Sequence, residues 1–262
     1  EIIGFNLNLS NNNSDHLKNY FNEWYHVCKL TDVDLINFIR KKQVNILIDL
    51  VGHGPGNRLS IFKNRVAPIQ ICWLGYVNTT GLNQMDYHIT DPYLIKDNEK
   101  ILYSEKIIRL PKIWNSHEKL DEKLEIKIPC EANNFITFGS FNNFRKISSN
   151  VINVWSEILL ESNSKLILKS SMNNSKELRD RLLSKFPSNL LNENKIILID
   201  GQRDKKDHLN MYHKIDIGLD TFPYTGVTTS FEAIWMGVPI LTLKGYNFTS
   251  RCGESININC NL

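Results

Sequence analysis

Short apolar runs, each closed by turn residues, alternate with amphipathic helical stretches along most of this chain. That alternation is typical of parallel strands joined by crossover helices, because both faces of a parallel sheet are covered by helices. The apolar runs predict strands at residues 1–5, 45–50, 69–74, 87–90, 106–110, 135–141, 165–168, 196–200, 217–220 and 238–243. The helical patterns lie at 31–42, from 148, at 175–186, at 205–212 and from 228. The sequence therefore predicts an α/β fold, doubly wound in its second half.

The stretch 114–134 differs in character from the sequence on either side of it. It mixes charges of both signs, contains Pro129 and has no long apolar run, which is typical of a linker. A chain of 262 residues is long enough to divide its core between two modest domains. We therefore expect one half over 1–113, a linker over 114–134 and a second half over 135–262. Because Glu1 starts in a predicted strand and Leu262 follows a helical pattern, we expect both halves to be truncated.

The net charge, the length of the apolar runs and the cysteine pattern indicate what this protein does not bind and where it is found. The chain has 31 Lys and Arg against 28 Asp and Glu, and a net charge of +3 is too small to indicate a nucleic-acid or anionic-membrane surface. No apolar run approaches the roughly 20 residues of a membrane-spanning helix. Five cysteines without a C-x-x-C pair favour reduced thiols. These observations predict a soluble cytoplasmic protein.

The segment 220–232 predicts an anion site. A buried strand, a turn containing Pro and Gly, and Thr228-Thr229 at a helix start would aim free backbone N–H groups and two hydroxyls at a phosphate. Glu232 has two interpretations. It could close a capping box by accepting from the Thr229 N–H, or it could accept from ribose hydroxyls.

A second candidate is the polar, basic loop 141–146, between a strand end and a helix start. A cation is disfavoured just ahead of a helix N-terminus unless an anion lies between them, so Lys146 points to phosphate binding. The alternative is a solvated loop lysine.

Two histidines and one acidic pair are further candidates. His208 could reach the strand-end crevice from its helix, or simply lie at the surface. His53 lies between two glycines at another strand end, which permits a close approach to a ligand or merely a tight turn. Asp32-Val33-Asp34 resembles a D-x-D metal motif, but Thr31 before it favours a helix cap. The chain lacks the G-x-x-x-x-G-K and G-x-G-x-x-G motifs and any locally supported Ser-His-Asp or Cys-His order, which disfavours a hydrolase or an ATPase.

Five blocks of sequence, in order, resemble the catalytic region of the protein O-GlcNAc transferase family (glycosyltransferase family 41), in particular its bacterial and plant SPINDLY-type branch. The blocks are 49–59 (Asp-Leu-Val-Gly-His-Gly-Pro-Gly-Asn-Arg-Leu); 67–70, 73–76 and 79–81 (Ala-Pro-Ile-Gln, Trp-Leu-Gly-Tyr, Thr-Thr-Gly); 85–87 and 89–91 (Met-Asp-Tyr, Ile-Thr-Asp); 138–143 (Phe-Gly-Ser-Phe-Asn-Asn) with Lys146; and 220–224 (Asp-Thr-Phe-Pro-Tyr) with Gly226, Thr228-Thr229 and 235–239 (Trp-Met-Gly-Val-Pro).

The resemblance implies a GT-B type glycosyltransferase: two Rossmann-like halves facing a cleft, with inverting, metal-independent transfer of a sugar from a nucleotide diphosphate sugar to Ser or Thr hydroxyls of proteins. UDP-GlcNAc is the expected donor, and no cofactor or metal is expected. By motif position, Lys146 would neutralise the diphosphate, with His53 as a second catalytic candidate. The implied nucleotide-sugar site consists of Asn143, Lys146, Lys205, His208, Thr228, Thr229 and Glu232.

Some positions depart from the family pattern. Val227 and Asn45 stand where the animal transferases carry histidines, and plant SPINDLY proteins resemble fucosyltransferases, so GDP-fucose is a second donor to consider. The family's proposed base is a histidine that would precede Glu1, as would tandem TPR repeats that select acceptors. The sequence also leaves open a lipid or glycan acceptor, and a non-catalytic module that only binds a nucleotide sugar.

Overall fold

The computed structural model describes residues 1–7, 15–76, 78–117, 126–171, 175–202 and 204–262. By its internal contacts the chain divides into two units, Glu1–Trp114 and Asn115–Leu262. The segment predicted as a linker includes 118–125, which lie outside the described residues, and a short helix, Pro129–Asn133. The domain boundaries taken from the sequence stay a prediction. Within the described ranges, no helix is long and apolar enough to cross a membrane.

The first unit contains two sheets in which every described pairing is parallel. A two-stranded sheet pairs β1 with β2, and a four-stranded sheet has the order β3-β4-β5-β6. Their bounds are β1 Ile3–Asn6, β2 Glu23–His26, β3 Ile46–Asp49, β4 Ile69–Cys72, β5 Tyr87–Thr90 and β6 Lys106–Arg109, with helices α1 Asp32–Lys41 and α2 Leu59–Phe62. Strand β2 is absent from the sequence prediction.

Helix α1 shows why this part of the chain folds as it does. The Thr31 hydroxyl caps the helix by accepting from the Asp34 N–H at 3.2 Å, so the capping interpretation of this acidic segment is confirmed. Leu35 and Ile39 lie on one face and are buried in the core of the unit, where they pack with residues of α2, β3 and β4.

The second unit contains one five-stranded parallel sheet of order β11-β10-β7-β8-β9. Its strands are β7 Ile136–Ser140, β8 Ser164–Ser170, β9 Ile196–Asp200, β10 Ile217–Leu219 and β11 Ile240–Leu241; its helices are α3 Pro129–Asn133, α4 Ser149–Glu161, α5 Lys176–Leu183, α6 Ser188–Asn192, α7 Lys205–Asn210, α8 Thr228–Trp235 and α9 Cys252–Asn259. One core cluster joins the sheet to α4, α5 and α6, and another joins it to α7 and α8.

The strand order of the second unit creates a switch point. From β7 the chain proceeds through β8 and β9 on one side of the sheet, and then crosses to place β10 and β11 on the other. In a sheet of this kind the loops after the two strands at the switch point diverge and leave a crevice at their carboxyl ends, where ligands bind. The loops that follow β7 and β10 are the two loops that the sequence singles out.

Candidate nucleotide-binding site

The loops after β7 and β10 are joined by direct side-chain contacts. The Lys146 Nζ donates to the Thr225 carbonyl at 3.0 Å, and the Thr229 hydroxyl donates to Asn142 Oδ1 at 3.3 Å. A Cβ at Gly226 would lie 2.6 Å from the Thr229 hydroxyl, so only glycine fits there without displacing that hydroxyl. The carboxyl ends of β7 and β10 and the start of α8 therefore form one continuous site.

Lys146 is the cation of this site. It ends a short 3-10 helix, Phe144–Lys146, and its Nζ also donates to Asn142 Oδ1 at 3.4 Å and lies 4.3 Å from the centre of the Tyr224 ring. Burial lowers the pKa of Lys146, and the nearby Asp220 carboxylate opposes that shift. The side chain is thus held at the junction of the two loops and is not a solvated loop lysine.

Asp220, the residue that follows β10, holds the loop that presents the Thr225 carbonyl. Its carboxylate accepts from the backbone N–H groups of Thr221 and Gly226 at 2.8 and 2.7 Å and from the Thr242 hydroxyl at 2.9 Å. Burial raises the pKa of Asp220 to about 6, although these donors and Lys146 act in the opposite direction. Asp220 is not among the site residues predicted from the sequence.

Helix α8 begins without a side-chain cap. Its N-cap residue is Val227, which makes no side-chain capping hydrogen bond, and the Ser230 N–H donates to the Val227 carbonyl at 3.1 Å. Thr228 is exposed at the helix start, and Thr229 contacts Asn142 instead of capping the helix. The capping-box interpretation of Thr229 and Glu232 is therefore wrong. Lys146 and this uncapped helix start together provide the positive potential that an anion requires.

Glu232 belongs to a partly buried cluster one turn into α8. His208 Nε2 lies 2.9 Å from Glu232 Oε2, and the Tyr212 hydroxyl donates to the same oxygen at 3.1 Å and to the Thr229 carbonyl at 3.2 Å. Burial by itself would raise the pKa of Glu232, but the hydrogen bonds from His208 and Tyr212 together lower it. The carboxylate is thus held charged and oriented, as an acceptor for ribose hydroxyls would need to be.

The remaining predicted residues occupy different surroundings. The Asn143 side chain caps the 3-10 helix by accepting from the Arg145 N–H at 3.0 Å. Lys205 is the exposed first residue of α7, following its N-cap Asp204. His53 lies in the first unit, exposed between Gly52 and Gly54, with Nε2 2.9 Å from the Thr79 carbonyl.

Sequence reasoning missed four residues that connect the site. Asn142 and Asp220 join the loops, and Tyr212 and Lys169 hold the Glu232 cluster. Asn142 and Asp220 both lie in the blocks that resemble the family, which was a signal that could have found them. Tyr212 is the last residue of the predicted helix 205–212, one turn after His208, and an aromatic residue at that place gives no signal of a site. Lys169 gave a misleading signal, because a lysine at a strand end is usually solvated. Within the described residues, no cluster of three or more His, Cys, Asp or Glu could hold a metal ion.

Comparison with solved structures agrees with this architecture over the whole chain. An O-GlcNAc transferase mutant from Thermobaculum terrenum matches with a TM-score of 0.90 and 31% identity, covering 100% of this chain and 50% of that one. A glycosyltransferase from Rickettsia africae shares the fold, with a TM-score of 0.55 and 11% identity. The chain therefore has the α/β architecture of the GT-B type glycosyltransferases, which confirms the fold class predicted from the sequence.

Sequence comparison identifies the family. The family model described as glycosyl transferase family 41 matches residues 5–134 and 121–260, so the chain belongs to that family and the resemblance seen in the sequence is confirmed. A probable UDP-N-acetylglucosamine–peptide N-acetylglucosaminyltransferase SPINDLY from Eustoma exaltatum is 37% identical over 235 residues, covering 89% of this chain. The chain spans 26% of the length of that relative.

Proposed function

We propose that this chain carries the donor site of an inverting, metal-independent glycosyltransferase that moves GlcNAc from UDP-GlcNAc to Ser or Thr hydroxyls of proteins in the cytoplasm. The main observation behind this proposal is the position of Lys146. It is held at the switch point of the sheet, at the carboxyl ends of the strands, beside the uncapped start of α8. The name of the SPINDLY relative, which specifies UDP-N-acetylglucosamine and a peptide, supports this choice of donor and acceptor.

The proposed roles of the site residues follow from the negative charge that develops on the diphosphate leaving group during sugar transfer. As the acceptor oxygen bonds to the anomeric carbon from the face opposite the leaving group, the bond from that carbon to the diphosphate oxygen breaks and its electron pair stays on the diphosphate. Lys146 and the N–H groups at the start of α8 would stabilise that charge without a metal ion. Thr228, Thr229 and Asn143 would hold phosphate oxygens, whereas Glu232, His208 and Lys205 would hold the nucleoside.

The proton of the acceptor hydroxyl requires a base. His53 is the catalytic candidate in the described first unit, held beside the Thr79 carbonyl by a loop whose Gly52 has a φ of 57°. The family's base, if it precedes Glu1, would take this role instead. A chain that retains the anion site but lacks a base would be a nucleotide-sugar-binding module.

Isothermal titration of this chain with UDP, UDP-GlcNAc, GDP and GDP-fucose tests the proposal. We expect saturable binding of the uridine pair, unchanged by EDTA, and weakened about tenfold to a hundredfold in Lys146→Ala, because a charge-assisted hydrogen bond is lost. Lys165→Ala is the matched control, since Lys165 is the second residue of β8 and lies near the amino-terminal ends of the strands, away from the loops that contain Lys146.

The outcomes separate the possible donors. Preferential binding of the guanosine pair would favour transfer of fucose. A folded chain that binds none of the four, or a Lys146→Ala variant that binds as tightly as the wild type, would overturn the donor-site assignment.

A further inference from the structure

Lys169 is a buried cation for which the proposed reaction provides no role. It is the next-to-last residue of β8 and only 2% exposed. Its Nζ hydrogen-bonds His208 Nδ1 and lies 4.8 Å from the centre of the Phe141 ring. Burying an ammonium group is costly unless specific partners stabilise it, so these contacts need an explanation.

The contacts determine which nitrogen of His208 carries the proton. An ammonium group has donors and no acceptor, so His208 Nδ1 must accept from Lys169. The single ring proton of neutral His208 then lies on Nε2, which donates to Glu232 Oε2 at 2.9 Å. A second ring proton would place an N–H against the ammonium group.

The resulting relay orients Glu232. Both of its side-chain donors, His208 and Tyr212, use Oε2. Among the residues that the structure describes, Glu232 Oε1 has no protein donor, so this oxygen is the one available to a ligand hydroxyl. The titratable groups that act on Lys169 are His208 on α7, which contacts it, and Glu232 on α8; Tyr212 contacts both of these residues.

We infer that Lys169 is a positioning residue of the nucleotide site: by holding His208 in the tautomer that donates to Glu232, it orients the carboxylate that binds a ribose hydroxyl. This inference rests on the proposed donor site and adds to it a residue on which ribose recognition depends. Burial lowers the pKa of Lys169 to about 8, so the ammonium form still predominates at neutral pH.

The test compares ribose and deoxyribose nucleotides. Binding of UDP and 2′-deoxy-UDP, and of GDP and 2′-deoxy-GDP, is measured by calorimetry for the wild type, Lys169→Met and Lys165→Met. Lys165 is the matched control, because it lies on the same strand with its Nζ over the Phe135 ring instead of at His208. The wild type and Lys165→Met are expected to prefer the ribose form about tenfold, and Lys169→Met is expected to lose that preference while still binding the deoxy form.

A second readout does not depend on nucleotide. Nitrogen-15 NMR of histidine-labelled protein, with His208 assigned by a His208→Gln variant, reports which ring nitrogen is protonated. We expect a protonated Nε2 and an unprotonated Nδ1 in the wild type, and a mixture of tautomers in Lys169→Met.

The outcomes distinguish the inference from the proposed function. If the wild type binds no nucleotide, the donor-site proposal fails and the ribose role fails with it, whatever the tautomer. If the wild type binds and Lys169→Met keeps both the ribose preference and the single tautomer, only the inference about Lys169 is overturned. Equal weakening of ribose and deoxyribose forms in Lys169→Met would also overturn it, because that is the result of general disruption.

Discussion

Three ionisable side chains at the strand ends of the second unit, Lys146, Lys169 and Asp220, share a physical property. Burial shifts the pKa of each one away from its ordinary value, downward for the two lysines and upward for the aspartate. Shifted groups of this kind concentrate at functional sites, because a binding site must keep charges where solvation is poor. All three are within or directly beside the two loops of the switch point.

Asp220 should make the free energy of unfolding depend on pH. Its folded pKa of about 6 lies above the ordinary 3.8, so the folded state holds the proton more tightly than the unfolded state does. This tighter proton binding adds to the free energy of unfolding. The contribution is present in full below the ordinary pKa of 3.8 and is lost as pH rises through about 6. From about pH 4 to about pH 7, the free energy of unfolding of the wild type should therefore fall by about 2 kcal/mol relative to Asp220→Asn, which has no such proton to lose.

Urea unfolding of both proteins across this pH range checks the prediction. Asp180→Asn makes the same change at an exposed position of α5 and should keep the wild-type pH dependence. A constant difference between the wild type and Asp220→Asn would show that Asp220 is charged throughout the range.

At the scale of elements, the starts of α4 and α8 serve different purposes. Helix α4 is capped by Ser148, whose hydroxyl oxygen accepts from the Val151 N–H at 3.3 Å. The same hydroxyl donates to the Phe222 carbonyl at 3.2 Å. Helix α8 has no side-chain cap. The capped start connects α4 to the loop after β10, whereas the uncapped start of α8 has N–H groups that would bind the diphosphate in the proposed donor site.

Ser148→Ala should lower the free energy of unfolding by about 1 kcal/mol, because it removes the cap of α4 and the contact with the Phe222 carbonyl. Ser149→Ala is the matched control: Ser149 is the exposed first residue of the helix, where alanine is a better helix former. Urea unfolding measures both changes. Equal stabilities of the two variants would mean that the cap contributes nothing.

At the scale of the whole molecule, the chain consists of two α/β units, and the residues of the proposed donor site from Asn142 to Glu232 belong to the second. A ligand that binds only the folded form of that unit stabilises it by mass action, by about 2.7 kcal/mol at 100 times its dissociation constant. The described residues of the first unit have no such ligand in this proposal, apart from the catalytic role suggested for His53.

We therefore expect UDP to slow amide hydrogen exchange in the second unit, most strongly in 141–146 and 220–229. Strands β3 and β4 of the first unit should exchange at nearly unchanged rates. Exchange followed by mass spectrometry, with Lys146→Ala as the control that removes the effect, measures this difference. Equal protection of both units would contradict a donor site confined to the second.

Strong local sequence patterns were sufficient to predict most of the strands and helices. The apolar runs at 135–141 and 196–200 form β7 and β9, and Ser148 starts α4 as its position predicts. Strand β2 was missed because Glu-Trp-Tyr-His is not an apolar run. Its pairing with β1 and the packing of Tyr25 on Phe5 and Phe38 stabilise it instead.

The sequence by itself determined most of the α/β elements, the two loops that contain Lys146 and Thr229, and the family to which they belong. It left open whether Glu232 closes a capping box or faces a ligand, and it offered no reason to examine Lys169. Only the tertiary structure excluded the capping box and showed what Lys169 contacts, because the partners of Glu232 and Lys169 are 20 to 39 residues away along the chain. Local patterns report hydrogen bonds within one helix turn, whereas contacts between elements form only when the sheet brings their ends together.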